Sequence, residues 1–294
     1  MSEPPLCAAP DRAPHASSFA VPPLACDCHL HVFGPAERYP YQPTRGYTPP
    51  DSPPDEMRKL HGALGIGRAV LVQASVHGTD NRAILDAVAA DPARLRAVAS
   101  VTEDVTEAAL ERLHEGGVRG FRVNLVDKGG MPFRSLASLE AVAERVQPLG
   151  WHAELLVHVH DSPDFLAIAR RLPIPVVVGH IGYAPAMRAL EHPGYREFLA
   201  LLRDGACWAK LTGPYRLSAS DRAPYADVAP LARAAVEAAP GRVVWGSDWP
   251  HVMLKGVMPN DAALLDLLAD WVPDAATRHR ILVNNPATLY GFDA

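Results

Sequence analysis

The 294-residue sequence predicts a distorted (β/α)8 TIM barrel folded as a single domain. Three observations carry this expectation. Short β-branched runs alternate with amphipathic stretches rich in alanine and leucine. Eight such pairs need about the length available. The polar residues of the runs also gather at their C-terminal ends, where a barrel of this kind builds its site. A doubly wound open sheet is the alternative. It would place a glycine fingerprint after the first strand, and a histidine-rich turn stands there instead.

Residues 1–24 read as a flexible arm and residues 25–294 as the barrel domain. The first predicted strand, Ala25–Val32, leads into a proline-rich loop from Pro35 to Pro54 and not into a helix. The loop's Tyr39, Tyr41 and Tyr47 suit a lid or pocket wall. The remaining strands are expected at Ala69–Ala74, Arg96–Val101, Gly120–Leu125, His152–His158, Pro175–His180, Cys207–Thr212 and Arg242–Asp248. Helical patterns lie at Asp80–Ala90, Thr106–Glu115, Ser135–Leu149, Ser162–Arg171, Tyr195–Asp204, Tyr225–Ala238, Asp261–Trp271 and Asp274–Leu282.

Composition narrows the class of function. With 48% hydrophobic and 21% charged residues, the chain is neither disordered nor fibrous. A net charge of −5 gives no basic excess for nucleic acid or an anionic membrane, so neither is expected as a partner. Cys7, Cys26, Cys28 and Cys207 are too few for a disulfide scaffold and read as reduced thiols of a cytoplasmic protein. The first twenty residues lack the basic start and apolar core of a signal peptide. No apolar run reaches the ~18 residues of a membrane span.

The informative residues close the strands. The first ends Asp27-Cys-His29-Leu-His31, and side-chain alternation puts the two histidines on one face. The sixth ends at His180 and the eighth at Asp248, with His251 just beyond. Single histidines at strand ends are commonly core residues. Histidines and an aspartate converging from three strands point to chemistry. Arg122 lies within the apolar run of the fourth strand, where a guanidinium is costly unless it meets an anion. That anion is either a ligand or a structural carboxylate such as Glu103 or Asp127.

These segments, together with Val72-Gln-Ala-Ser-Val-His-Gly-Thr-Asp-Asn-Arg82, Gly117-Val-Arg-Gly-Phe-Arg-Val-Asn124, Pro214-Tyr-Arg-Leu-Ser218 and Val244-Trp-Gly-Ser-Asp-Trp-Pro-His251, resemble the family-2 branch of the amidohydrolase superfamily. Within that branch they are most similar to the lactonases that open 2-pyrone-4,6-dicarboxylate to 4-oxalomesaconate in aromatic (lignin) catabolism. The resemblance runs from about Ala25 to Phe292. It implies a small anionic lactone as substrate, Asp248 as the base that activates water, and His29, His31 and His180 around the lactone carbonyl. It further implies Tyr47, Ser75, Arg122, Lys128, Arg216 and His251 as substrate-binding residues. Two positions depart from the pattern. Lys128 stands where an arginine is expected, which keeps the charge and loses the planar fork. The fifth strand carries Leu156 and His158 where a tyrosine is expected.

The resemblance favours a metal-independent lactonase with no cofactor. The alternative is a decarboxylase holding one zinc or manganese ion through His29, His31, His158 and Asp248, with His180 as proton shuttle. A related lactonase or lactone isomerase for muconolactones or sugar acids is a further alternative. The sequence carries no signal of oligomeric state.

Overall fold

The computed structural model describes residues 3–126, 132–133 and 135–293. Eight parallel strands form one sheet in sequence order: β1 Cys26–Leu30, β2 Arg68–Val72, β3 Leu95–Ala99, β4 Val118–Asn124, β5 His152–Leu156, β6 Val176–Val178, β7 Cys207–Leu211 and β8 Val243–Trp245. All but β4 are shorter than their sequence patterns, because His31, His158, His180, Thr212 and Asp248 have left the ladder for the loops, whereas Arg122 and Asn124 stay paired in β4. Helices alternate with the strands, giving the expected (β/α)8 barrel. They are α1 Pro54–Leu64, α2 Arg82–Ala90, α3 Glu107–Glu115, α4 Leu136–Val146, α5 Pro163–Ala169, α6 Pro193–Arg203, α7 Ala229–Ala238 and α8 Asp261–Trp271, followed by the short α9 Ala275–His279 and α10 Asn285–Tyr290.

Helix α1 corrects the expectation that only a loop follows β1. The density of proline hides it, yet Pro54 occupies the first turn, where its missing N–H is harmless. Asp55 and Glu56 complement the helix dipole there. Met57, Leu60 and Leu64 then form a buried stripe, and Gly65 ends the helix in the left-handed conformation.

Strands are buried on both faces. Outward residues such as Leu71, Ala97, Phe121 and Leu155 pack under the helices, while Val70, Val72, Val98, Val177, Trp208 and Val244 fill the inside. Fully burying one such aliphatic chain contributes about 1.5–3 kcal/mol. Tyr290 and Phe292 close the bottom of the barrel.

The top closes through polar contacts between β1 and the segment after β8. The Asp248 N–H donates to the His29 carbonyl (2.8 Å) and the His31 N–H to the Trp249 carbonyl (2.8 Å). Asp27, fully buried, accepts from the Ser247 hydroxyl (2.5 Å) and the Ser247 N–H (3.0 Å). These bonds fix Asp248 against the two histidines of β1. Among the described residues no helix is long and apolar enough to cross a membrane. The described part of the arm runs along the barrel wall. Ser17 bonds Asp266 on α8 (2.6 Å), and Leu6 bridges Thr48 beside Tyr47.

Candidate active site

The register between β1 and β2 slips between Asp27 and Leu30. Cys28 lies in the inner cluster, and His29 also turns inward against Glu154. His29 and His31 then meet edge to face with ring centroids 5.2 Å apart, and His180 lies 5.3 Å from His29. His180 and Asp248 both adopt positive φ (47° and 64°), a conformation side chains avoid unless the surroundings impose it. Gly213 after β7 leaves room for both. A Cβ there would come within 2.7 Å of His180 Nδ1 and 3.1 Å of Asp248 Oδ2.

Asp248 is 1% exposed. Its Oδ2 accepts from the Tyr215 hydroxyl (2.6 Å) and from Arg216 Nε (2.7 Å). Among the described residues its Oδ1 has no hydrogen-bond partner, and it faces His29 Nε2 at 3.6 Å and His31 Nε2 at 3.8 Å. Burial pushes the carboxyl pKa up, but the Arg216 guanidinium and the neighbouring histidines outweigh it and hold it well below the usual carboxylate value. Asp248 is therefore ionised at neutral pH, with one oxygen clamped and one open.

The histidines are neutral. Burial, then the charge of Arg122, pulls His31 down to about 4. Burial, opposed by Asp248 and reinforced by Arg216 and Arg122, pulls His180 down to about 3. Burial and Lys210 hold His29 well below its ordinary value. His31 Nδ1 lies 2.8 Å from the Val72 carbonyl, which can only accept. The ring proton sits on Nδ1, so His31 Nε2 carries a bare lone pair toward Asp248 Oδ1. In this form His31 can accept a proton from water but cannot donate to a carbonyl oxygen.

Above this group lies a cavity of about 320 Å³ at the C-terminal mouth of the barrel. Of the residues expected from sequence, His31, Tyr47, Ser75, Arg122, His180, Arg216 and Asp248 line it. His29 stands one layer deeper. His251 stands behind Tyr215, its Nδ1 3.0 Å from that hydroxyl and its Nε2 3.2 Å from Asp261, and does not reach the cavity. Lys128 lies outside the described residues. Among the described residues Arg122 donates one bond, to the Gln73 carbonyl (2.9 Å), and pairs with no carboxylate there, Glu103 included. Asp127 lies outside them. Burial pushes the Tyr47 hydroxyl up, so it stays protonated and can donate.

Three polar lining residues were not expected from the sequence: Tyr183, Tyr215 and Lys255. Tyr215 adjoins Arg216 in the Pro214-Tyr-Arg segment, a signal that was present. Lys255 is exposed on the loop after β8, and its approach to the mouth depends on a loop path that strand periodicity does not encode.

Among the described residues, His29, His180 and Asp248 form a buried group able to hold a metal ion, with ligand atoms within 4.8 Å of one another. His158 is not part of it. Its Nδ1 lies 2.7 Å from the Tyr183 carbonyl and its ring packs on Tyr183.

Comparison with known proteins agrees with this architecture. Residues 26–292 match the family model described as amidohydrolase. A 2-pyrone-4,6-dicarboxylate hydrolase of Comamonas testosteroni is 38% identical over 94% of this chain and 93% of its own length. A 4-sulfomuconolactone hydrolase of Hydrogenophaga intermedia is 39% identical over 98% and 95%. The apo crystal structure of an Agrobacterium tumefaciens protein superposes with a TM-score of 0.84 at 33% identity, covering 94% of this chain and 99% of that one. A matched family model spanning nearly the whole barrel, on a site built from the ends of β1, β6 and β8, makes this chain an enzyme of the amidohydrolase family.

Proposed function

We propose that the protein hydrolyses a small lactone bearing two anionic groups. The observation that carries this reading is the placement of Arg122, Arg216 and Lys255 around the same cavity as the open oxygen of Asp248. Cations on a pocket wall recognise carboxylate or sulfonate, and charge-assisted bonds are about twice as strong as neutral ones. Relatives named for 2-pyrone-4,6-dicarboxylate and for 4-sulfomuconolactone fit that chemistry equally.

In this reading water gives one proton to Asp248 Oδ1, while its remaining O–H stays intact and donates a hydrogen bond to His31 Nε2. The water oxygen adds to the lactone carbonyl. Charge then develops on the carbonyl oxygen, within reach of Arg122 and the hydroxyls of Ser75 and Tyr47. Collapse breaks the ring C–O bond. The proton held by Asp248 passes to the departing oxygen, with neutral His180 placed to relay it, so atoms and charge balance. Tyr215 and Arg216 hold the other carboxylate oxygen throughout.

Metal independence is part of the proposal. If an ion is bound, His29, His180 and Asp248 would hold it, and it would supply Lewis-acid polarisation of the carbonyl. Against this stands the Arg216 guanidinium, 2.7 Å from the same carboxylate, with Arg122 close enough to lower the pKa of two of the histidines. Both cations oppose a divalent charge there.

The test compares kcat/KM for 2-pyrone-4,6-dicarboxylate, 4-sulfomuconolactone and an uncharged lactone of similar size. At least one dianionic lactone is expected to exceed the uncharged one by ~100-fold or more, the worth of one or two charged contacts. Preference for the uncharged lactone would remove the anion reading. Failure to open any of the three would remove lactone hydrolysis.

A further inference from the structure

Below the catalytic layer, a lysine sits in the centre of the barrel. Lys210 on β7 is 0% exposed. Its ammonium has three donors and finds three acceptors: the Cys28 carbonyl (2.7 Å), Glu154 Oε2 on β5 (2.5 Å) and His29 Nδ1 on β1 (3.3 Å). Burying a charge pair costs several kcal/mol per ion in desolvation, and apolar replacements are often as stable. A lysine and a glutamate beside the hydrophobic inner cluster of the barrel therefore call for an explanation other than stability.

The third acceptor supplies one. An ammonium only donates, so a bond from Lys210 to Nδ1 requires the lone pair on Nδ1 and the ring proton on Nε2. That nitrogen is buried, has no hydrogen-bond partner among the described residues and lies 3.6 Å from Asp248 Oδ1. His31, held by Val72, presents the opposite tautomer to the same oxygen. One imidazole would then donate toward Asp248 Oδ1 while the other offers a lone pair to water.

We propose that Lys210 and Glu154 are positioning residues that fix His29 as the Nε2–H tautomer, a donor to the open oxygen of Asp248. Glu154 neutralises Lys210 and aims it. Glu154 Oε1 also lies 2.9 Å from His29 Nδ1 without forming a hydrogen bond, so the opposite tautomer, with Nδ1–H donating to Glu154, is the competing arrangement. The assignment rests on the proposal that Asp248 activates water. It also removes His29 Nε2 from the lone pairs available to a metal.

Nitrogen-15 NMR of the full-length protein, labelled at histidine, tests this without reference to turnover. His29 is identified as the resonance missing from His29→Gln. The expected spectrum has the proton of His29 on Nε2, and a proton on Nδ1 overturns the proposal whatever the substrate proves to be. Kinetics on whichever of the two dianionic lactones is turned over give the second readout. Lys210→Met with Glu154→Leu is expected to fold, to keep KM within ~2-fold and to lose kcat by ~10–100-fold, the usual cost of removing a group that orients a reacting residue. If the double variant folds and keeps full kcat, the pair is merely structural. If it does not fold, the NMR result decides alone.

Discussion

Arginines on or near the strands serve the two ends of the barrel differently. At the bottom, Arg68 donates to the carbonyls of Leu24, Val283 and Asp293, and Arg96 to those of Pro92, Leu95 and Gly291. Both guanidinium groups also stack on Phe292, and Arg119 bonds the His114 and Val118 carbonyls. Here arginine ties chain ends together. At the top, among the described residues, Arg122 makes one backbone bond, and Arg216 divides itself between Asp248 and the Val252 carbonyl. Both line the cavity, and among those residues both keep donors for an anion. The partners of the guanidinium, and not its presence in a strand, separate a fastening from a binding group.

The largest break in this picture is expected at the base itself. Asp248→Asn should fold, because Tyr215 and Arg216 can still contact the amide oxygen, and should lower turnover by ~1000-fold, within the range of a lost general base. Turnover within ~10-fold of the parent would exclude Asp248 from proton transfer. Next comes the top arginine. Arg122→Met keeps the stem's packing and should reduce kcat/KM by about 2–3 kcal/mol, the worth of a hydrogen bond to a charged group. Its melting temperature should stay near that of the parent. Unfolding without a kinetic defect would make Arg122 a fastening after all.

The matched change at the bottom sharpens the contrast. Arg68→Met leaves three carbonyls without their donor and should cost about 1–3 kcal/mol of stability, measured by urea denaturation, with kcat/KM within ~2-fold. A specific kinetic loss there would erase the distinction between the two ends.

Much of this organisation was legible in the sequence. The eight strands were, because buried parallel strands demand continuous β-branched runs. The structure places Arg68, Arg96 and Arg119 within the first two residues of their strands and Arg122 in the second half of its own. Asp248, His29, His31 and His180 could be read from the same rule. Helix α1 was obscured because Pro53-Pro54 reads as loop until its place in the first turn is known. Tyr183 and Lys255 reach the cavity through loop conformations set by tertiary packing. Glu154 and Lys210 stood in plain view as charges in apolar strands, but only the barrel's closure brings β5, β7 and β1 together.

The smallest expected effect concerns pH. With Asp248 ionised and the histidines neutral, kcat/KM should vary less than ~2-fold between pH 6 and 8. Stability behaves differently. His31 has a folded pKa of about 4 against an ordinary 6.5, so below 6.5 the unfolded chain binds a proton that the folded chain refuses. Its contribution is present above 6.5 and is lost as pH falls toward 4. His180, at about 3, extends the same loss further into acid. Asp248, depressed below its ordinary carboxylate value, loses its share only at the acid extreme. Urea midpoints should therefore fall steadily from pH 6.5 to 4, with a shallower slope in His31→Gln.

The claim that Asp248 and its histidines open an anionic lactone without a metal can be tested on stripped protein. Dialyse the enzyme against a strong chelator, verify by elemental analysis that less than ~0.1 equivalent of zinc or manganese remains, and follow the ultraviolet absorbance of 2-pyrone-4,6-dicarboxylate and 4-sulfomuconolactone. Undiminished turnover of at least one of them is the predicted result. Activity that disappears with the metal and returns on adding zinc or manganese would contradict it, and would make His29, His180 and Asp248 a metal site.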